Sequence, residues 1–190
     1  GAICTDVAYS LPHAHCGRLK EQIMQLNDRL TGSRFLRGVN CVGGVGTDVT
    51  NEQLTKSVGE LDGLEPDFTE LEKFAFANST LKDRVETTGV LSNSIAWDHC
   101  VMGVVGRASG IDRDIRRDHP FAAYDEMPPN VVLYRYGDVR ARMRVRIDEI
   151  HESLRLIREI RRCIPQGPIM TQPTGRPASG TWAFSAVEGW

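Results

Sequence analysis

Between Asp138 and Pro165 the apolar residues Met143, Ile147, Ile150, Leu154 and Ile157 recur four and three positions apart. On an α-helix this spacing draws one continuous stripe, and such a stripe is stable only when other helices cover it. Asp138 is placed to cap the rod, and Pro165 and Gly167 to end it. A chain built around such an element folds as a helical layer. Its 190 residues, 41% of them hydrophobic, suffice for one core. The expectation is a single, mainly α domain over residues 1–190: a helical bundle over 17–165 with a long C-terminal helix, then an extended and β part over 166–190.

The partners of the rod are legible upstream. Leu19, Ile23, Leu26 and Leu30 predict a first helix from Arg18 to Leu30, stopped by Gly32. Thr50 and Gln53 form a capping box that opens a second helix, which the spacing predicts to break near Gly63 and Pro66 and resume through Phe68, Leu71, Phe74 and Leu81 to Val85. Ser92 caps a short segment from Ile95 to Met102. The charged stretch from Arg107 to Pro129 reads as an ordered loop with at most a helical turn near Asp112 to Arg117. The tail, with Pro168, Pro173 and Pro177, connects to a strand-like pattern at Trp182, Phe184 and Val187. Gly1 is followed by an apolar stretch rather than an initiator Met, and the last residues stop within that strand-like pattern, so both ends look cut and the chain reads as an excised domain.

Composition removes several classes of function. No run of about 18 apolar residues is present, so no bilayer span is expected. The first thirty residues lack the pattern of a signal peptide, and the chain reads as intracellular. A net charge of −2 and a pI near 6.2 argue against a dedicated nucleic-acid surface. The long helix does carry many arginines, but Asp138/Arg142, Arg144/Asp148 and Arg155/Glu159 stand four apart and can pair along a solvated face. Any unpaired arginines suit subunit docking better. The five cysteines are scattered without CxxC spacing and read as reduced thiols.

Four clusters could carry chemistry. His13 and His15 alternate, and on an extended segment they would offer two imidazoles to a metal, yet no second pair of ligands accompanies them. Ser109 precedes Asp118 and His119, as in a hydrolase, but lacks the G-x-S-x-G elbow. The loop Gly43-Gly44-Val45-Gly46 precedes a helix, as phosphate cradles do, without Gly-Lys-Ser/Thr or G-x-G-x-x-G; a tight turn that something approaches closely fits it better. The segment from Arg107 to Asp125 holds four aspartates, four arginines and one histidine. Such density implies mutual pairing, as a structural ion network or as the wall of a functional chamber.

That segment also carries a resemblance. Arg107, Ser109, Gly110, Asp114 and Arg116 reproduce the R-x-S-G-x-x-x-D-x-R stretch of the large subunit of membrane-bound, energy-converting nickel–iron hydrogenases of the formate-hydrogenlyase type. The same stretch occurs in their homologue, the 49-kDa-type (D) subunit of respiratory NADH:quinone oxidoreductase. Asp118-His119-Pro120-Phe121 looks more like the hydrogenase branch. Leu30-Thr31-Gly32-Ser33-Arg34 resembles the family's S/T-G-x-R, Gly43-Gly44-Val45 its G-G-V, and Tyr136 to Pro168 its long helix and P-x-G-P/E ending. The likeness covers nearly the whole chain. Where respiratory relatives have Arg-Pro before the two glycines, this chain has Cys41-Val42.

The resemblance implies the helical middle of an oxidoreductase subunit. Its parent complex would take electrons from an iron–sulfur subunit and pass them to protons or quinone, with NAD binding a property of the respiratory relatives. No cofactor is expected within this stretch. The cysteine pairs that hold nickel and iron do not occur here, the quinone-site residues of the respiratory relatives belong before Gly1, and the iron–sulfur clusters belong to partner subunits. No residue is expected to be catalytic or a metal ligand. Arg34, Arg107, Ser109, Asp112, Asp114, Arg116, Asp118 and His119 would wall the chamber or dock the small iron–sulfur subunit. The complex would sit on the cytoplasmic side of the membrane through its partners, and the stretch alone would be inert. The rival readings are a non-catalytic docking module that keeps the fold without a centre, and a stand-alone metal protein using His13 and His15.

Overall fold

The computed structural model describes residues 1–172, 175 and 178–188. It is mainly helical. In chain order the elements are α1 (Ala2–Asp6), α2 (Ser10–Thr31), β1 (Asn40–Cys41), β2 (Gly44–Val45), α3 (Asn51–Ala77), α4 (Ser79–Val85), α5 (Asn93–Asp98), α6 (Gly103–Ala108), α7 (Ile115–Asp118) and α8 (Val139–Cys163).

The helix α8 is the axis of the structure. Asp138 caps it by accepting from the Ala141 N–H at 2.7 Å, which satisfies one of the donors every helix start leaves open. Two faces of its first half are buried. Met143 joins Ala75, Phe76, Leu81 and Val85 of α3 and α4 in one core, and Ala141 and Val145 join Val104 and Ala108 of α6 in another. The predicted stripe therefore holds only in part. Ile150 and Ile157 are exposed, whereas Val145 and Leu156 are buried, because α8 is gripped from two sides rather than along one seam.

Three predicted boundaries shift. The helix expected from Arg18 starts at Ser10, since Pro12 falls in the first turn, where no intrahelical N–H is needed. The break expected at Pro66 does not occur. The helix α3 runs through it, packed against α2 and α8, and that packing offsets a proline cost of about 3 kcal/mol. A helix not foreseen, α6, passes through Gly103 and Gly106. At Gly106 a Cβ would lie 2.5 Å from the Val101 carbonyl oxygen, so this glycine serves close packing rather than helix termination.

Of the expected β part over 166–190, the described residues pair only at Met170. The hairpin β1–β2 pairs Asn40 with Val45 and Cys41 with Gly44, and Gly44 forms an isolated bridge with Met170. No strand forms over residues 181–188, and Trp182, Phe184 and Val187 are exposed, because no second strand among the described residues lies beside them. Pro173, Pro177 and Trp190 lie outside the described residues.

Candidate functional site

The arginine–aspartate segment is assembled by the end of α6. The last carbonyls of that helix are taken up by neighbours: Arg107 O accepts from Tyr134 N–H at 2.9 Å, Ala108 O from Gly137 N–H at 2.8 Å, and Ser109 O from Asn93 Nδ2 at 2.9 Å. These bonds fix where Arg107 enters the interior. The Tyr134 hydroxyl in turn donates to Asp148 on α8 at 2.6 Å. Burial, together with that carboxylate, pushes the Tyr134 phenol up to about 12.

Arg107 is 3% exposed and shared by three carboxylates. Its Nε and Nη2 donate to Glu149 Oε1 at 2.9 and 2.6 Å, and its Nη1 donates to Glu188 Oε2 at 2.7 Å and to the Arg113 carbonyl at 3.1 Å. Asp114 lies 3.6 Å away and is itself clasped by Arg116, whose Nε and Nη2 donate at 2.9 and 2.6 Å. Burial alone would lower the Arg107 pKa, but its carboxylate neighbours, Glu188 foremost, hold it above the ordinary arginine value. Burial likewise works to raise the Asp114 pKa, and the bonds from Arg116 overcome it, leaving Asp114 below the usual aspartate range. Two guanidinium groups thus face three carboxylates in a partly dry site, where removal of one member strands the charge of another.

A second, wetter layer lies outside. Arg117 donates to Asp118 at 2.8 Å and to Asp112 at 2.7 Å, and Asp118 also accepts from the Asp114 N–H at 3.1 Å. Asp112 and His119 are exposed. Arg34 does not join this site. It makes a two-pronged pair with Glu21 on α2 at 3.0 and 2.6 Å.

The other readings of single motifs are corrected by position. His13 and His15 lie on α2, where residues two apart point to different sides. His13 is instead 2.7 Å from the Thr5 hydroxyl. The Ser109 hydroxyl is buried without a hydrogen-bond partner, so it makes no dyad with His119. The glycine loop is filled by its own chain: a Cβ on Gly44 would lie 2.3 Å from the Ile169 carbonyl oxygen. No group of three or more His, Cys, Asp or Glu among the described residues could hold a metal ion. The arginines of α8 pair mostly across helices. Arg144 binds Glu72 at 2.5 Å, and Arg158 binds Asp62 and Glu65. Of the three predicted in-helix pairs only Arg155/Glu159 forms, since Asp138 is occupied as a cap and Asp148 by Tyr134.

The family model described as the respiratory-chain NADH dehydrogenase 49 kDa subunit matches residues 6–180. The chain belongs to this family. Among curated relatives, the D subunit of NADH-quinone oxidoreductase from Akkermansia muciniphila is 33% identical over 89% of the chain and 41% of the relative. The corresponding protein of Clostridium beijerinckii is 30% identical over 90% and 46%. The H subunit of NAD(P)H-quinone oxidoreductase from Prochlorococcus marinus is 32% identical over 95% and 46%. The chain thus spans a little under half the length of these relatives. Among solved structures, a chain of the membrane-bound sulfane sulfur reductase, an archaeal respiratory membrane complex, superposes with a TM-score of 0.79 at 25% identity, covering 90% of this chain and 46% of that one.

Within this member of the respiratory-chain family, sequence reasoning missed Glu149 and Glu188. Glu149 lies on α8 and Glu188 in the tail, both far from the loop in sequence. The signal that could have found them is the chemistry of Arg107, which on an apolar helix such as α6 demands carboxylates from elsewhere. No helix among the described residues is long and apolar enough to cross a membrane.

Proposed function

We propose that this chain is the helical part of a 49-kDa-type subunit that takes electrons from an iron–sulfur partner subunit and passes them to quinone or, in the hydrogenase branch, to protons. The match of the family model over residues 6–180 carries the reading. The site supports it in kind. The polar groups of Arg107, Asp114 and Arg116 are committed to one another and to Glu149 and Glu188, which suits a chamber wall or a docking face and not a reacting group. Asp112, Asp118 and His119 form its solvent-facing side, and Arg34 a separate contact with a partner. Any metal or quinone would be held by residues outside this stretch, and the iron–sulfur clusters by partner subunits.

In this reading the 190 residues act as one unit of a larger subunit and are inert alone. The complex lies peripherally on the cytoplasmic side of the membrane through its partners. The test is electron transfer by the assembled parent complex carrying Asp118→Ala or His119→Ala. A fall in turnover at unchanged assembly is the expected result. Unchanged assembly and turnover in both variants would remove the loop from function.

A further inference from the structure

Glu188 is the outlier of its segment. Trp182, Phe184 and Val187 are 83%, 85% and 88% exposed, yet the Glu188 side chain, one residue further on, is only 13% exposed. Its carboxylate is divided between two parts of the arginine–aspartate segment. Oε2 accepts from Arg107 Nη1 at 2.7 Å, and Oε1 accepts from the backbone N–H of Ile115, the first residue of α7, at 2.9 Å. Arg107 lies in the last turn of α6. One carboxylate therefore ties the end of one helix to the start of the next, from a position 81 residues beyond Arg107.

Other contacts inside the interval also link the two helices: Arg107 approaches Asp114 at 3.6 Å, its Nη1 reaches the Arg113 carbonyl, and Asp114 caps α7 through the Arg116 N–H. None of them holds the Ile115 N–H. That donor belongs to a helix start and has no intrahelical partner. With Glu188 absent, a buried guanidinium loses one of its carboxylates and a buried N–H loses its acceptor at the same moment.

We propose that Glu188 is a positioning residue for the arginine–aspartate loop, setting the separation of Arg107 from α7 and hence the placement of Asp112, Asp114 and Asp118. The loop and Glu188 are held as one piece. The functional consequence rests on the reading of this loop as part of the redox subunit, but the positioning itself does not.

The test uses the full-length subunit in its assembled complex, with Glu188→Ala, Glu188→Gln and, as a neighbouring control, Val187→Ala. Hydrogen–deuterium exchange is followed in peptides covering residues 111–119 and, for comparison, α3 and α8. In Glu188→Ala the loop peptide exchanges faster by about ten-fold, the scale of losing a charge-assisted bond, while α3 and α8 are unchanged. Glu188→Gln keeps one acceptor oxygen and places a donor where the other stood, so it gives an intermediate rate. Val187→Ala gives none of this. Unchanged exchange at 111–119 in Glu188→Ala overturns the proposal, and so does an equal rise in all three regions, which marks a general loss of stability. Electron-transfer turnover of the same complexes is the second arm. A loosened loop with full turnover leaves the positioning role standing and sinks the functional reading of the loop, whereas lost turnover with an unaltered loop sinks the positioning role.

Discussion

The backbone N–H of Thr87 donates to Asp138 Oδ2 at 2.9 Å across 51 positions of sequence, while the other oxygen of the same carboxylate caps α8 through Ala141. Thr87 has a φ of 57°, a left-handed conformation that a β-branched residue rarely adopts. Asp138 thus starts the axial helix and holds the turn after α4 in place. Asp138→Ala is expected to cost about 1 kcal/mol for the cap and a further 0.5–1.5 kcal/mol, roughly, for the lost bond to the Thr87 N–H, which water can then reach. Urea denaturation of the wild-type and variant chains measures the sum, and a loss under about 0.5 kcal/mol would show that the carboxylate contributes less than a single cap.

Gly137 tests the neighbouring crossing. Its φ is 68°, and a Cβ there would lie 2.1 Å from the Leu91 carbonyl oxygen, where the Leu91 N–H already donates to Gly137 O at 3.0 Å. Gly137→Ala must move backbone against backbone. A loss of about 2–4 kcal/mol is expected, seen as a lowered thermal midpoint. A midpoint equal to wild type would mean that this crossing yields without cost.

Asp114 makes the ion cluster pH-dependent. Its folded pKa lies below the usual aspartate range, and its unfolded value is about 3.9. Its contribution is therefore complete above the unfolded value and fades as pH falls through the folded one. Asp114→Asn should cost about 3–5 kcal/mol near neutrality, because Arg116 and Arg107 lose a buried partner. The gap between wild type and variant should hold from about pH 7 to 5 and narrow below about pH 4. Thermal unfolding across that range decides the matter, and a gap that widens toward acid would reverse the assigned sign.

Much of the fold was readable because its signals are local. Thr50 and Gln53 form the predicted capping box, Asp138 caps α8, and Gly32 closes α2 in the left-handed conformation. What was misread depended on contacts between distant segments. Pro66 looked like a break because a sequence shows the ring and not the two helices packed along the rest of α3. The helix α6 was not foreseen because the approach of Val101 to Gly106 is invisible locally. Periodicity named Ile150 and Ile157 as core, and burial chose Val145 and Leu156, since a helix held from two sides has no single stripe.

The candidate site divides in the same way. Arg107, Asp114, Arg116 and Asp118 were singled out by density of charge and by resemblance, and the structure brings them together. Arg34 carried a motif of the same family yet sits elsewhere, paired with Glu21 of α2. Glu149 and Glu188 were not foreseen, because a carboxylate on a helix rich in acids and bases, or in a tail, has no local mark of burial.

The strap between Gly44 and Met170 has a consequence of another kind. It joins the segment after α2 to the segment after α8 through main-chain groups, with Val45 N–H donating to Ile169 O at 3.0 Å and Thr171 N–H to Gly43 O at 2.9 Å. Because peptide groups make these bonds, their formation does not depend on which side chains stand at 169 and 171. Position 171 can exchange its residue for almost any other except proline, which has no hydrogen to give. At position 44 nothing larger than a hydrogen atom fits. A splice linking remote parts of the polypeptide is thereby indifferent to the spelling of one segment and intolerant of change at a single point in the other.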